Sequence, residues 1–313
     1  MNNLESETIE PKHGRGRTLA LVMGGGGGKG GAHLGVLETI ESIGIPIDLM
    51  VGTSIGGVVA VLYAAGYSVR EIADTFAATS IWRLMERDPL GLGMLGLKRF
   101  RTTMDDMLGD MTFEELRIPV ALVAADLVSG QEVVIQSGPI VEPLMGAIAL
   151  PGIFPPLNRD NMVLADAGIV NNVPVDVARR LGADKVIAVD LGGACADFQI
   201  TATGSGPLGL VNLLPSVPMT VANRGLAILV AQLTRFQLAA NPPDVLICPE
   251  VNHIGMLEFV RVAEGQSAGA AAAQAVADQL LEIGKWRTAG SETLMLLRPP
   301  LAAQAVGAAL QAA

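Results

Sequence analysis

Apolar positions along the chain gather in short continuous runs, separated by glycine-rich or polar breaks. Residues 18–23 (TLALVM) form one such run with turn-forming residues behind it, which predicts a strand. Gly24–Gly31 is almost wholly glycine. Leu34, Leu37 and Ile40 then recur at helical spacing and predict a helix over His33–Ile43. A second apolar run, Asp48–Val51, leads into a tight turn over Gly52–Gly57 and a helical pattern over Val58–Ala65. Strand, loop, helix, strand, turn, helix is how a parallel α/β sheet begins.

The same reading continues downstream. Helices are expected over Val69–Thr79, Val141–Leu150 and Val175–Leu181. Strands are expected over Pro119–Ala125 and Glu132–Gln136, around a turn at Val128–Gly130, and over Met162–Ala165, Lys185–Leu191 and Val245–Cys248. Arg83–Arg101 reads as irregular, Ala194–Pro218 as loop, and Ser267–Ile283 as one Ala-rich helix. Met219–Ala240 is the best candidate for a membrane span. It carries Asn223, Arg224, Gln232, Arg235 and Gln237, so a buried or amphipathic helix is expected instead. The expected layout is a disordered lead-in over 1–17, a motif-bearing region over 18–181, the remainder of the same domain over 182–290, and a tail or helix over 291–313.

Composition narrows the class. A chain of 313 residues, half of them hydrophobic, can bury a large core. The net charge of −10 argues against nucleic acid as a partner. The N-terminus has acidic residues and no apolar segment, unlike a secretory signal. Cys195 and Cys248 form no CxxC or Cys/His cluster. Two core thiols in a reducing compartment, hence a cytoplasmic location or a peripheral one at the inner membrane surface, is the expectation, with no metal and no cofactor.

Three segments carry candidate chemistry. The first is Gly52-Thr53-Ser54-Ile55-Gly56, a GxSxG between an apolar strand and a helix. That is the setting of a nucleophile elbow, where a sharp turn exposes the serine Oγ. The second is Gly24–Gly30. A P-loop is excluded, because Met23 and Gly30 stand where that motif needs Gly and Ser/Thr. Gly25, Gly27 and Gly30 meet a dinucleotide GxGxxG, with Asp48 as a ribose ligand, but a glycine run matches this trivially. An oxyanion hole is the third use, and it explains why a serine elbow follows directly. The third segment is Asp166-Ala167-Gly168 at a strand end, where an acid can reach a site or merely cap a turn. A serine needs a base. Asp166 and His253 both remain candidates, and Ser54–Asp166–His253 would have the chain order of α/β-hydrolases.

Taken together, GGGGGKGGAHLGVL, GTSIG, AIALPGIFPPL (Ala147–Leu157) and DAG, followed by Asn172 and Pro174, resemble the patatin-like phospholipase family from about Thr18 to Leu181. The resemblance implies a three-layer α/β/α domain with a mainly parallel central sheet. It implies a Ser54–Asp166 dyad without histidine, an oxyanion hole at Gly25, Gly26, Gly27 and Gly28, and support from Lys29, Gly30, Gly52, Gly56, Ala167 and Gly168. The implied reaction is hydrolysis of a lipid acyl ester through an acyl-serine, without metal. Two departures are Gly28 at the variable position of GGGx[RK]G, and Ala167 where the family usually has glycine. Acyl transfer to an alcohol, and a non-catalytic nucleotide- or lipid-binding module, are the rival readings. Leu90–Leu97 and Pro207–Met219 are expected either to form a lid touching a membrane surface or to pack over the sheet edge.

Overall fold

The computed structural model describes residues 17–78, 91–192, 217–256 and 258–289. Among these, eight strands form one sheet: β1 (Leu19–Met23), β2 (Leu49–Thr53), β3 (Val120–Asp126), β4 (Glu132–Ile135), β5 (Leu157–Arg159), β6 (Met162–Asp166), β7 (Lys185–Val189) and β8 (Val245–Ile247). The described helices are α1 (Gly31–Ile43), α2 (Ile55–Ala65), α3 (Val69–Ala78), α4 (Lys98–Leu108), α5 (Val141–Ala147), α6 (Val175–Arg180), α7 (Val217–Ala240), α8 (Val262–Ala275) and α9 (Ala277–Thr288).

Pairing runs β5-β6-β3-β2-β1-β7-β8, with β4 added to β3. From β3 through β8 neighbours are parallel, while β4 and β6 run antiparallel to β3 and β5 antiparallel to β6. Strands covered on both faces need apolar side chains at every position. In β1, Leu19, Leu21 and Met23 enter the larger core cluster with α1, α2 and α3, while Ala20 and Val22 enter a second cluster with Val175 and Val177 of α6. This is the three-layer α/β/α arrangement that the family resemblance implies.

One register positions the site. Val123 of β3 is paired on both sides, by Thr53 and by Val134. Ala124 is likewise paired by Asp166 and by Val133. Strands β2 and β6 therefore lie end to end along one edge of β3, with β4 on the other edge. Their C-terminal ends meet there, at consecutive residues of β3.

Several boundaries differ from the sequence reading. The turn expected over Gly52–Gly57 contracts to Ser54, because β2 continues to Thr53 and α2 begins at Ile55. Arg83–Arg101 is not irregular at its end. Lys98 opens α4, whose Met104 and Leu108 are buried four residues apart. The Ala-rich helix divides into α8 and α9 at Val276, whose φ of −113 leaves the helical range. Strand β5 was not anticipated; its three residues carry no long apolar run. Cys248 is an exposed thiol just after β8, not a core one. On α7, Thr234 is the one buried side chain among those described, so the helix is not buried. The expectations for 1–16, Thr79, 83–90, 193–216 (which include Cys195 and most of the 207–219 loop) and 291–313 lie outside the described residues.

Candidate active site

Ser54 is the single residue between β2 and α2, with φ 55 and ψ −129, a backbone setting that side-chain-bearing residues rarely adopt. The flanking glycines permit the sharp turn by close approach. A Cβ on Gly56 would lie 2.1 Å from the Met23 carbonyl oxygen, and one on Gly52 would lie 2.4 Å from the Gly57 Cα. Ser54 lies beside the Asp166 carboxylate, and its hydroxyl favours the ionised form. That placement follows from the sheet register, since Ser54 is the first residue after β2 and Asp166 the last of β6.

Asp166 is buried, and burial pushes its carboxyl up to about 6. The Ser54 hydroxyl and the Gly168 N–H, which donates to Oδ1 at 2.8 Å, act in the opposite direction. Ala167 is fully buried in the second core cluster beside Val173 and Val175. The methyl that departs from the family pattern is therefore absorbed by packing, and the Gly168 N–H remains available to Asp166.

The glycine loop is held from several directions. Gly24 N–H donates to the Val189 carbonyl at 3.0 Å, Gly25 N–H to Asn172 at 3.2 Å, and Gly28 N–H to Met256 at 2.6 Å. The Gly25 and Gly28 amides are thus already committed, and Gly28 is absent from the cavity wall. Gly26 and Gly27 line that wall. A Cβ on Gly25 would lie 2.6 Å from the Asn172 Oδ1 and 3.2 Å from the Ser54 Cβ, so only glycine allows this approach to the serine. Lys29 donates from Nζ to the Leu191 carbonyl at 3.0 Å. Its burial lowers the ammonium pKa, and neighbouring Asp190 counters that shift. Gly30 lies where a Cβ would strike the Ile55 side chain at 2.4 Å.

His33 was not among the residues singled out for a role. It is fully buried on α1, and its Nε2 is 2.8 Å from the Gly24 carbonyl. A carbonyl only accepts, so the proton is on Nε2. Burial lowers this imidazole to about 4 and keeps it neutral. Its spacing from the glycine run was the available signal. His253 is half-exposed and turned to Glu264, 2.7 Å from Oε1. Asn252 and Ile254 line the cavity, but His253 does not. Asp48, the ribose-ligand candidate, is committed elsewhere. It accepts from the Leu19 N–H at 2.8 Å and forms a two-point pair with Arg287 at 2.6 Å.

Ser54, Asp166, Gly25, Gly26 and Gly27 open onto one cavity of about 580 Å³. Its wall is mainly apolar, with Ile148, Leu150, Ile153 and Phe154 from the AIALPGIFPPL block, Leu97 and Phe100 from the start of α4, and Leu226 and Val230 from α7. Lys29, Asp190, Arg235, Asn252 and Cys248 give it a polar portion. Within the 90–97 segment, Leu95 N–H donates to the Ile153 carbonyl at 2.9 Å, while Leu92 and Met94 are exposed.

The family model for patatin-like phospholipase matches residues 21–179. A patatin-like phospholipase domain-containing protein of Caenorhabditis elegans is 37% identical over 186 residues, 56% of this chain and 14% of that one. Neuropathy target esterase sws of Drosophila melanogaster is 33% identical over 186 residues, covering 56% and 13%. An uncharacterized NTE family protein of Mycobacterium tuberculosis is 34% identical over 178 residues, covering 56% and 49%. The match thus spans about half of the mycobacterial relative and a small part of the animal ones. Among solved structures, VipD from Legionella pneumophila aligns with a TM-score of 0.57 at 13% identity, over 87% of this chain and 68% of that one, a likeness of fold.

Proposed function

The chain belongs to the patatin-like phospholipase family, and we propose that it hydrolyses lipid acyl esters with Ser54 as nucleophile and Asp166 as base. The observation that carries this reading is a serine on a strained elbow set by the sheet register beside a buried carboxylate, both opening onto one cavity. In the first step Ser54 Oγ bonds to the ester carbonyl carbon while its proton passes to Asp166. The carbonyl electron pair becomes an oxyanion, met by the N–H groups of Gly26 and Gly27. One such donor is typically worth about 3 kcal/mol. Collapse of the tetrahedral intermediate expels the alcohol, which takes the proton from Asp166. Water then adds to the acyl-serine as its proton passes to Asp166; the Ser54 Oγ–acyl bond breaks as Asp166 returns that proton to Oγ, and the fatty acid leaves. The apolar wall of the cavity suits an acyl chain.

Of the four glycines that the family resemblance assigns to the oxyanion hole, Gly26 and Gly27 are the donors in this proposal. Gly25 and Gly28 shape the loop, because their amides already have protein acceptors. Lys29 holds the loop to the end of β7 through Leu191.

The test is labelling with a fluorophosphonate probe. Wild type is expected to label, Ser54→Ala not at all, and Asp166→Ala far more slowly. A folded wild type that remains unlabelled would remove the activated-serine reading.

A further inference from the structure

Helix α7 presents an unusual surface. It is 24 residues long and contains no Asp or Glu, although the chain carries 31 acidic residues against 21 basic ones. Its charges are Arg224 and Arg235 alone. Leu226, Val230 and Thr234 recur every four residues on the side that lines the cavity. The opposite side carries Val221, Leu229 and Phe236, with Leu229 68% and Phe236 72% exposed. Large apolar side chains this exposed on one side of a helix mark a surface that meets another body. Here the inner side has the cavity, and the outer side has no protein cover among the described residues.

Helix α7 is tethered near its C-terminal end, where Gln237 donates to the Val170 carbonyl at 2.7 Å and Leu238 packs against the second core cluster. No helix among the described residues is long and apolar enough to cross a membrane. Any contact of α7 with lipid would therefore run along the interface plane. Exposed apolar side chains also occur at Met256, itself part of the cavity wall, and at Leu92 and Met94, on the segment bonded to Ile153.

We infer that the outward side of α7, centred on Leu229 and Phe236, seats on a phospholipid bilayer, so that the helix holds the cavity against the membrane surface. A bilayer fits better than a protein partner for two reasons. The absence of acidic residues on α7 spares it repulsion from anionic headgroups in a chain that is otherwise strongly acidic. The same helix also walls the cavity assigned to the acyl chain, so whatever covers its outer side lies one helix thickness from the substrate. The choice of lipid as occupant rests on the lipid-hydrolase reading.

The experiment is flotation of the full chain with vesicles of phosphatidylcholine and phosphatidylglycerol. Four forms are compared: Ser54→Ala, and the Ser54→Ala background carrying Leu229→Asp, Phe236→Asp or Leu281→Asp. Leu281 is a partly exposed residue of α9 and controls for the added charge. Leu229→Asp and Phe236→Asp should each lower vesicle partitioning by about tenfold, while Leu281→Asp partitions like its parent. In the wild-type background, hydrolysis of a short soluble ester should be unchanged by Leu229→Asp and Phe236→Asp. Equal partitioning of all four forms, or no partitioning of any, overturns the inference. A dimer in solution that Phe236→Asp dissociates also overturns it, because a second copy would then be the occupant. Loss of fluorophosphonate labelling with vesicle binding intact would remove the hydrolase reading alone.

Discussion

Under the proposed mechanism, Asp166 pulls stability and function in opposite directions. Its carboxyl rises from 3.8 to about 6 on folding, so the ionised form disfavours the fold. Stability from this group is fully present below pH 3.8 and is lost as pH rises through about 6. Asp166→Asn should therefore abolish ester hydrolysis yet stabilise the protein at pH 8 by up to about 3 kcal/mol in urea melts. As the base, Asp166 must be ionised, so kcat/KM should rise through about pH 6. An unperturbed aspartate would have placed this limb near pH ~4. Burial moves it into the imidazole range, so the limb's position alone does not separate carboxylate from histidine. His253→Ala supplies the separation: the limb should be unchanged in that variant, and its disappearance would return His253 to the role of base. His33 has the opposite linkage. Its folded pKa of about 4 lies below 6.5, so its contribution is full above pH 6.5 and is lost as pH falls towards 4. His33→Leu removes that slope and leaves the Gly24 carbonyl without its donor. The expected result is a kcat on the order of tenfold lower with KM little changed, as the loop amides drift from the oxyanion position.

At the scale of elements, the glycine loop depends on a helix pair behind it. Helix α1 leaves the loop directly and packs on α8 through facing glycines four residues apart, Gly31 and Gly35 against Gly265 and Gly269. A Cβ on Gly35 would lie 1.9 Å from the Gln266 carbonyl oxygen, and one on Gly269 1.9 Å from that of Ala32. Backbone cannot yield as a side chain can. Gly35→Ala or Gly269→Ala should cost about 3 kcal/mol or more, read as a large drop in thermal midpoint. Gly284→Ala is the contrast, since its Cβ meets only the Ile45 side chain, at 3.1 Å, and a much smaller effect is expected. The division of the Ala-rich stretch into α8 and α9 belongs to this scale too. No local breaker marks Val276, and alanine is equally content in one helix or two.

Across the whole molecule, the two ends of the sheet do different work. Asp48 precedes β2 and Ser54 follows it, so the Asp48–Arg287 pair ties α9 to the end away from the site. Both partners are largely buried, and Asp48→Ala removes the acceptor of two bonds from Arg287 and one from the Leu19 N–H, so it should cost about 3 kcal/mol or more in denaturant melts. Fluorophosphonate labelling of the molecules that remain folded should be unaffected. A dinucleotide site would behave differently, with ligand-dependent stabilisation that Asp48→Ala removes.

What the sequence determined by itself was local. Runs of apolar residues named β1, β2 and β7, because strands covered on both faces have no polar side to show. GTSIG between such a run and a helix marked the elbow, because a turn that sharp needs glycine on both sides of Ser54. The fold class and the family followed from these segments and their order. Tertiary structure decided what depends on distant partners. The register of β6 on β3 sets Asp166 beside Ser54, and no periodicity in the chain encodes it. Acceptors at Asn172 and Met256 decide which loop amides are already committed within the protein. Arg287 takes Asp48 out of ligand chemistry, and burial of His33 turns a helix residue into a donor to the loop. Local pattern reports which face of an element is apolar. What that face meets is decided by the rest of the chain, as the outward side of α7 illustrates.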